Sequence, residues 1–201
     1  MIAIIDYGAG NLFSVCNALD SLNIPHQVTG DPRVLETADA MILPGVGAFP
    51  DAMERLNTAG LTTAIREQAK KKPLLGICLG MQILFEKGLE FRETEGLGLI
   101  PGQVQKIEAP GLKIPHMGWN DLSVPHPCAL TEGVKPGDYV YFVHSYRAET
   151  SEEYVSCSTW YGETIPALVC RGNVFGAQFH PEKSGTVGLR ILQNFARLVT
   201  K

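Results

Sequence analysis

Cys78 stands between two glycines in the run Gly76-Ile77-Cys78-Leu79-Gly80, directly after the apolar residues Leu74 and Leu75. An apolar strand passing through Gly-x-nucleophile-x-Gly into a helix is a nucleophile elbow, here with cysteine where a hydrolase carries serine. The turn is so tight that side chains at the flanking positions would collide, so glycine is needed on both sides. The nucleophile is thereby thrust out at the carboxyl end of a strand, where open α/β sheets bind ligands. The helix after it offers a positive dipole end that favours thiolate, the attacking species, over thiol.

A cysteine nucleophile needs a base, and the base needs an orienting group. The segment Phe179-His180-Pro181-Glu182 supplies both at the end of an apolar run. Residues two apart in extended chain face the same way, and Pro181 stiffens the link. Glu182 can then hold the His180 imidazole in one tautomer and stabilise its charged form, as a catalytic triad uses its acid. His180 would take the Cys78 proton and later give it to a leaving amine. Acyl transfer also needs donors aimed at an oxyanion. The Leu79 backbone N–H, just after the nucleophile, is one source. The turn Pro44-Gly45-Val46-Gly47 is the second, because its glycines allow backbone to approach substrate closely.

The elements that must position these groups follow from the hydrophobic pattern. Short apolar runs at 2–5, 26–28, 40–43 and 74–77 read as strands. Between them, helical spacing marks 12–22, 49–56, 61–71 and 79–87, with Asn11 as an N-cap. Strand–helix alternation of this kind favours a parallel sheet covered on both faces. Residues 88–102, rich in Gly and Glu, read as a connector. The second half is richer in strands, at 103–107, 139–143, 155–160, 167–170 and 174–179, and closes with an amphipathic helix over 186–199. The expectation is an α/β domain spanning 1–201, with antiparallel strands added in its second half.

Composition narrows the function. Hydrophobic residues make up 45% of the 201 and charged residues 19%, as in a compact globular domain. A net charge of −4, with Lys70-Lys71-Lys72 as the densest basic run, argues against a nucleic-acid surface. No apolar stretch approaches the roughly 20 residues that cross a bilayer. The amino terminus reads as a strand rather than a leader, which points to the cytoplasm. There the five cysteines are expected as free thiols, and the absence of Cys-x-x-Cys argues against a structural metal. Gly8-Ala9-Gly10 lacks the third glycine of a dinucleotide fingerprint, since position 13 is Phe.

Together these segments resemble the class I (triad) glutamine amidotransferases, and more narrowly the glutaminase subunits of imidazole glycerol phosphate synthase. The resemblance runs the whole length. It includes Asp6-Tyr7-Gly8-Ala9-Gly10-Asn11, Pro115-His116-Met117-Gly118-Trp119-Asn120, Tyr141-Phe142-Val143-His144-Ser145-Tyr146 and Phe179-His180-Pro181-Glu182-Lys183-Ser184. It implies a flavodoxin-like α/β fold, a Cys78–His180–Glu182 triad, an oxyanion hole at Val46, Gly47 and Leu79, and no cofactor or metal. It further implies glutamine contacts from Gly47, Gln82, Glu90, Ser145 and Tyr146. Glu86 and Glu93 flank Glu90 as rival partners for the substrate amino group.

After the glutaminase parts are assigned, no segment remains to accept ammonia, which at neutral pH is lost to ammonium if released. In the family the acceptor is a (β/α)₈-barrel cyclase subunit, docked as a heterodimer, which makes imidazole glycerol phosphate and an aminoimidazole carboxamide ribotide in histidine biosynthesis. His116, Met117, Trp119 and Asn120 are the expected docking surface, with Trp119 as anchor and Tyr141 and Lys183 alongside. Another triad amidotransferase subunit, or a stand-alone γ-glutamyl hydrolase or peptidase, would share the same elbow and His-Pro-Glu.

Overall fold

A computed structural model describes residues 1–199; the last two residues of the expected 1–201 domain lie outside the described residues. The first half runs β1 (Ile2–Ile5), α1 (Leu12–Ser21), β2 (His26–Thr29), α2 (Pro32–Thr37), β3 (Ala40–Gly45), α3 (Phe49–Thr58), α4 (Leu61–Ala69), β4 (Leu74–Cys78) and α5 (Leu79–Gln82). The second runs β5 (Phe85–Gly88), β6 (Thr94–Glu95), β7 (Ile100–Lys106), β8 (His116–Asp121), β9 (Tyr139–His144), β10 (Tyr146–Glu149), β11 (Val155–Trp160), β12 (Thr164–Arg171), β13 (Val174–Ala177) and α6 (Gly185–Arg197).

The central sheet has seven strands in the order β11-β12-β13-β4-β3-β1-β2. From β13 to β2 all neighbours are parallel, and β12 and β11 add an antiparallel margin. The parallel block has the flavodoxin-type order, which reverses direction between β1 and β3 and leaves ligand space at the carboxyl ends of the strands. Apolar residues fill both faces because both are covered. Ile2, Ile4, Ala40, Ile42, Leu75 and Ile77 pack with Leu19 of α1 and Ile191, Leu192 and Phe195 of α6. Their neighbours Ala3, Ile5, Met41, Leu43 and Leu74 pack on the other side with Leu35, Met53, Leu56, Leu61 and Ile65 of α2, α3 and α4. The Asn11 side chain caps α1 by accepting from the Ser14 N–H at 3.2 Å.

Helix α2 and strand β10 have no counterpart in the sequence expectation, and three further regions depart from it. The helix expected over 79–87 is a single turn, Leu79–Gln82, followed by strand β5. Phe85 lies fully buried opposite Ile100 of β7, and a short apolar run has no periodicity to separate a buried strand from a helix. The connector 88–102 instead contains β6 and the first residues of β7, which form a four-stranded sheet in the order β10-β7-β5-β6. The segment carrying Trp119 is strand β8, paired antiparallel with β9 so that His116 faces His144 and Trp119 faces Tyr141.

Candidate functional site

Strand β4 ends at Cys78, whose backbone sits at φ 56, ψ −113 before α5 begins. A positive φ at a non-glycine residue is strained, and such strain is held where packing leaves no alternative. The packing here is backbone on backbone. A Cβ on Gly76 would lie 2.5 Å from the Gly80 carbonyl oxygen, and a Cβ on Gly80 would lie 1.8 Å from the Leu43 oxygen. Both flanking glycines are therefore required by close approach, and α5 is pressed onto the end of β3. Helix α5 is a single turn, so the dipole at its amino end is small.

Parallel pairing of β13 with β4, Gly176 opposite Gly76 and Ala177 opposite Ile77, carries the chain beyond β13 toward Cys78. His180 is fixed by its backbone: its N–H donates to the Tyr141 carbonyl at 2.9 Å, and its own carbonyl accepts from the Ser184 hydroxyl at 2.6 Å. His180 Nδ1 bonds Glu182 Oε1 at 2.8 Å, with side-chain exposures of only 4% and 1%. The pair meets across a 3-10 turn at Pro181–Lys183 rather than along extended chain, so the turn begun by Pro181 does the aligning. Nε2 of His180 and Oε2 of Glu182 are buried without a hydrogen-bond partner among the described residues. Burial works against charge on His180, but the nearby Cys78 sulfur and the Glu182 carboxylate outweigh it and raise the ring to a pKa of about 9. The imidazole is thus built to hold a proton beside the sulfur.

A cavity of about 400 Å³ opens over these groups, lined by Val46, Gly47, Cys78, Leu79, Gln82, Glu90, Ser145, Tyr146 and His180. Every expected oxyanion and glutamine residue reaches it. Gly45 is paired with Cys78, which sets Val46 and Gly47 against the elbow, and Gly47 has φ 98. The Glu90 carboxylate accepts from the Phe49 N–H at 2.7 Å; burial raises its pKa, against that bond. Its rivals are engaged elsewhere: Glu86 accepts from the Gly102 N–H at 2.9 Å, and Glu93 pairs with Lys87 at 3.0 Å. The cavity brings one carboxylate, Glu90, into the same space as Cys78, Leu79 and the 46–47 turn.

Sequence reasoning missed Gln178. It is fully buried, donates to Cys78 Sγ at 3.9 Å and accepts from Gln82 Nε2 at 3.0 Å. A lone amide inside the apolar stretch 174–179 was its visible mark. The expected docking residues divide. Met117 and Trp119 are 62% and 56% exposed beside a second hollow that Asn120 also lines. Tyr141 is half-buried, with its ring 6.2 Å from Trp119, and Lys183 is exposed. His116 departs from the expectation. It is 2% exposed and stacked between Phe142 and Tyr161 at centroid distances of 4.7 and 4.1 Å. Strand alternation turns it inward while Met117 and Trp119 point out.

The chain matches the family model for class I glutamine amidotransferases over residues 3–199. It is 52% identical over 200 residues to the imidazole glycerol phosphate synthase subunit HisH of Bacillus cytotoxicus, covering 99% of this chain and 95% of that protein. To the HisH subunit of Streptococcus sanguinis it is 51% identical over 201 residues, covering 99% and 97%. A crystal structure of a glutamine amidotransferase superposes over 100% of both chains with a TM-score of 0.78 at 23% identity, a likeness of fold. The chain belongs to the class I glutamine amidotransferase family. More narrowly, it is a glutaminase of the HisH kind.

Proposed function

We propose that this chain, as one glutaminase domain, hydrolyses L-glutamine with Cys78 as nucleophile, His180 as proton carrier and Glu182 as the group that orients His180. The observation that carries the reading is the buried His180–Glu182 pair beside a thiol held on a strained strand end. The Cys78 proton passes to His180, which is built to hold it, before the sulfur attacks the side-chain amide carbon of glutamine. The carbonyl oxygen takes up negative charge, and the Leu79 N–H with the Val46-Gly47 backbone receives it. Collapse of the adduct breaks the C–N bond; His180 returns the proton, and ammonia leaves behind a thioester on Cys78. Water, deprotonated by His180, then hydrolyses the thioester to glutamate and restores the thiol. Gly47, Gln82, Glu90, Ser145 and Tyr146 hold the substrate, with Glu90 at its amino group.

The acceptor of the ammonia is the cyclase subunit of an imidazole glycerol phosphate synthase in a cytoplasmic heterodimer of histidine biosynthesis. Identity of about half the residues to HisH subunits supports this. Among the described residues, no helix is long and apolar enough to cross a membrane. The test is a glutaminase assay with and without the cyclase and its ribotide substrate. The expected result is glutamate release that rises when partner and ribotide are present and is abolished in Cys78→Ser. Fast turnover by the lone chain, indifferent to the cyclase, would instead indicate a stand-alone γ-glutamyl hydrolase.

A further inference from the structure

Beneath the exposed face of β8 runs a buried chain of hydrogen bonds that the triad does not use. His144 Nδ1 lies 2.8 Å from the Tyr146 carbonyl oxygen, His116 Nδ1 lies 3.0 Å from His144 Nε2, and Asn120 Nδ2 lies 3.2 Å from His116 Nε2. Asn120 is itself pinned: Oδ1 accepts from the Asp121 N–H at 3.0 Å and Nδ2 donates to the Trp160 carbonyl at 3.0 Å. Both imidazoles are neutral. Burial lowers His116 to about 4; burial, opposed by the Tyr146 carbonyl and aided by the His116 and His180 rings, lowers His144 to about 3.

One arrangement of protons satisfies every link. A carbonyl only accepts, so His144 carries its proton on Nδ1 and offers a bare Nε2. His116 must then also carry its proton on Nδ1, and its bare Nε2 takes the Asn120 amide. At the inner end, the Tyr146 carbonyl receives a second donor, Gln82 Nε2, at 3.0 Å. Gln82, Ser145 and Tyr146 all line the cavity over Cys78. An unpaired His144 Nε2 would be free to take up the proton, turning a lone pair on Nδ1 against the Tyr146 oxygen.

We infer that His116 is a positioning residue: by fixing the tautomer of His144 it holds the Tyr146 carbonyl, and with it the backbone and Gln82 that face the substrate. The inference rests on the glutaminase reading where it concerns glutamine, but the proton arrangement stands apart from it. It belongs to substrate binding rather than to bond breaking, so its loss is felt in half-saturation before maximal rate.

The test has two arms. Nitrogen-15 NMR of the wild-type chain near neutral pH reads the tautomers directly. Nδ1–H forms are expected at both His116 and His144; an Nε2–H form or a charged ring at either overturns the inference. The second arm follows alkylation of Cys78 by the glutamine analogue 6-diazo-5-oxo-norleucine. In His116→Phe, whose ring keeps the stack between Phe142 and Tyr161, the half-saturating concentration should rise about tenfold while the maximal rate stays within about twofold. His116→Gln, whose amide can both donate and accept, should restore wild-type half-saturation. Unchanged half-saturation in the folded Phe variant, or no rescue by Gln, overturns the inference. If the wild type itself is not alkylated, the glutaminase reading fails, and the NMR tautomers alone judge the relay.

Discussion

His180 is pulled between burial, which disfavours its charge, and two neighbours that favour it, and the neighbours prevail with a pKa near 9 against an ordinary 6.5. A raised folded-state pKa stabilises the fold fully below the unfolded value, and the gain is lost as pH rises through the folded value. Here the window runs from 6.5 to about 9, and the shift corresponds to on the order of 3 kcal/mol. Glu182→Gln keeps an acceptor for Nδ1–H but removes the charge. Urea denaturation across that window should show a smaller loss of stability in the variant than in the wild type, and turnover should drop by roughly 10²–10⁴. Equal pH slopes would mean that Glu182 does not hold the proton on His180. The three residues of this site were legible from type and neighbours: a cysteine between glycines, and a histidine two residues from an acid. Their meeting was not, because it depends on β13 pairing with β4 across a hundred residues of sequence, and local pattern carries no trace of which strands become neighbours.

Among the elements, the elbow and the turn after β3 use glycine for different reasons, and substitution separates them. Gly80 faces the Leu43 carbonyl so closely that a methyl group cannot enter without moving β3 or α5. Gly80→Ala should therefore destabilise the fold by several kcal/mol, seen as a lowered melting temperature, and should abolish labelling of Cys78. Gly47 has open space around its missing Cβ and is constrained only by its φ of 98. Gly47→Ala should cost about 1–3 kcal/mol at most yet lower turnover by roughly 10²–10³ through a displaced oxyanion donor. If both variants melt alike, the close-approach argument for Gly80 is wrong. Strands β1 to β4 and helices α1, α3 and α4 were readable because both sheet faces are covered and the apolar spacing is regular. Strand β8 was not, since its inward positions His116, Gly118 and Asn120 carry no apolar side chain while its outward residues Met117 and Trp119 mimic a buried pattern. Helix α2 was missed although Asp31 caps it and Pro32 opens it, because six residues are too few for a period to emerge.

At the scale of the whole molecule, the sheet places the candidate active cavity at the carboxyl end of its strands, and the β8–β9 ribbon pairs His116 with His144 at the margin of that cavity. The ribbon joins this margin to a face on which Met117 and Trp119 stand exposed, with Leu112 at 47% and Trp160 at 68% beside the same hollow. Large apolar side chains clustered in the open mark protein contact more often than chance exposure. Strand β9 links the two: Val143 and His144 line the cavity, and Tyr141 of the same strand pairs with Trp119, so the proposed function would have its partner dock on this face. Trp119, in edge contact with Tyr141, has the size and partial seating of an interface anchor. Trp119→Ala should weaken cyclase binding by about 2 kcal/mol or more, measured by titration calorimetry. More than half of its surface is already in solvent, so the melting temperature of the lone chain should barely move. Unaltered affinity together with undiminished transfer of ammonia to the ribotide would remove this face from the interface; a large fall in melting temperature would make Trp119 a structural residue of the ribbon instead.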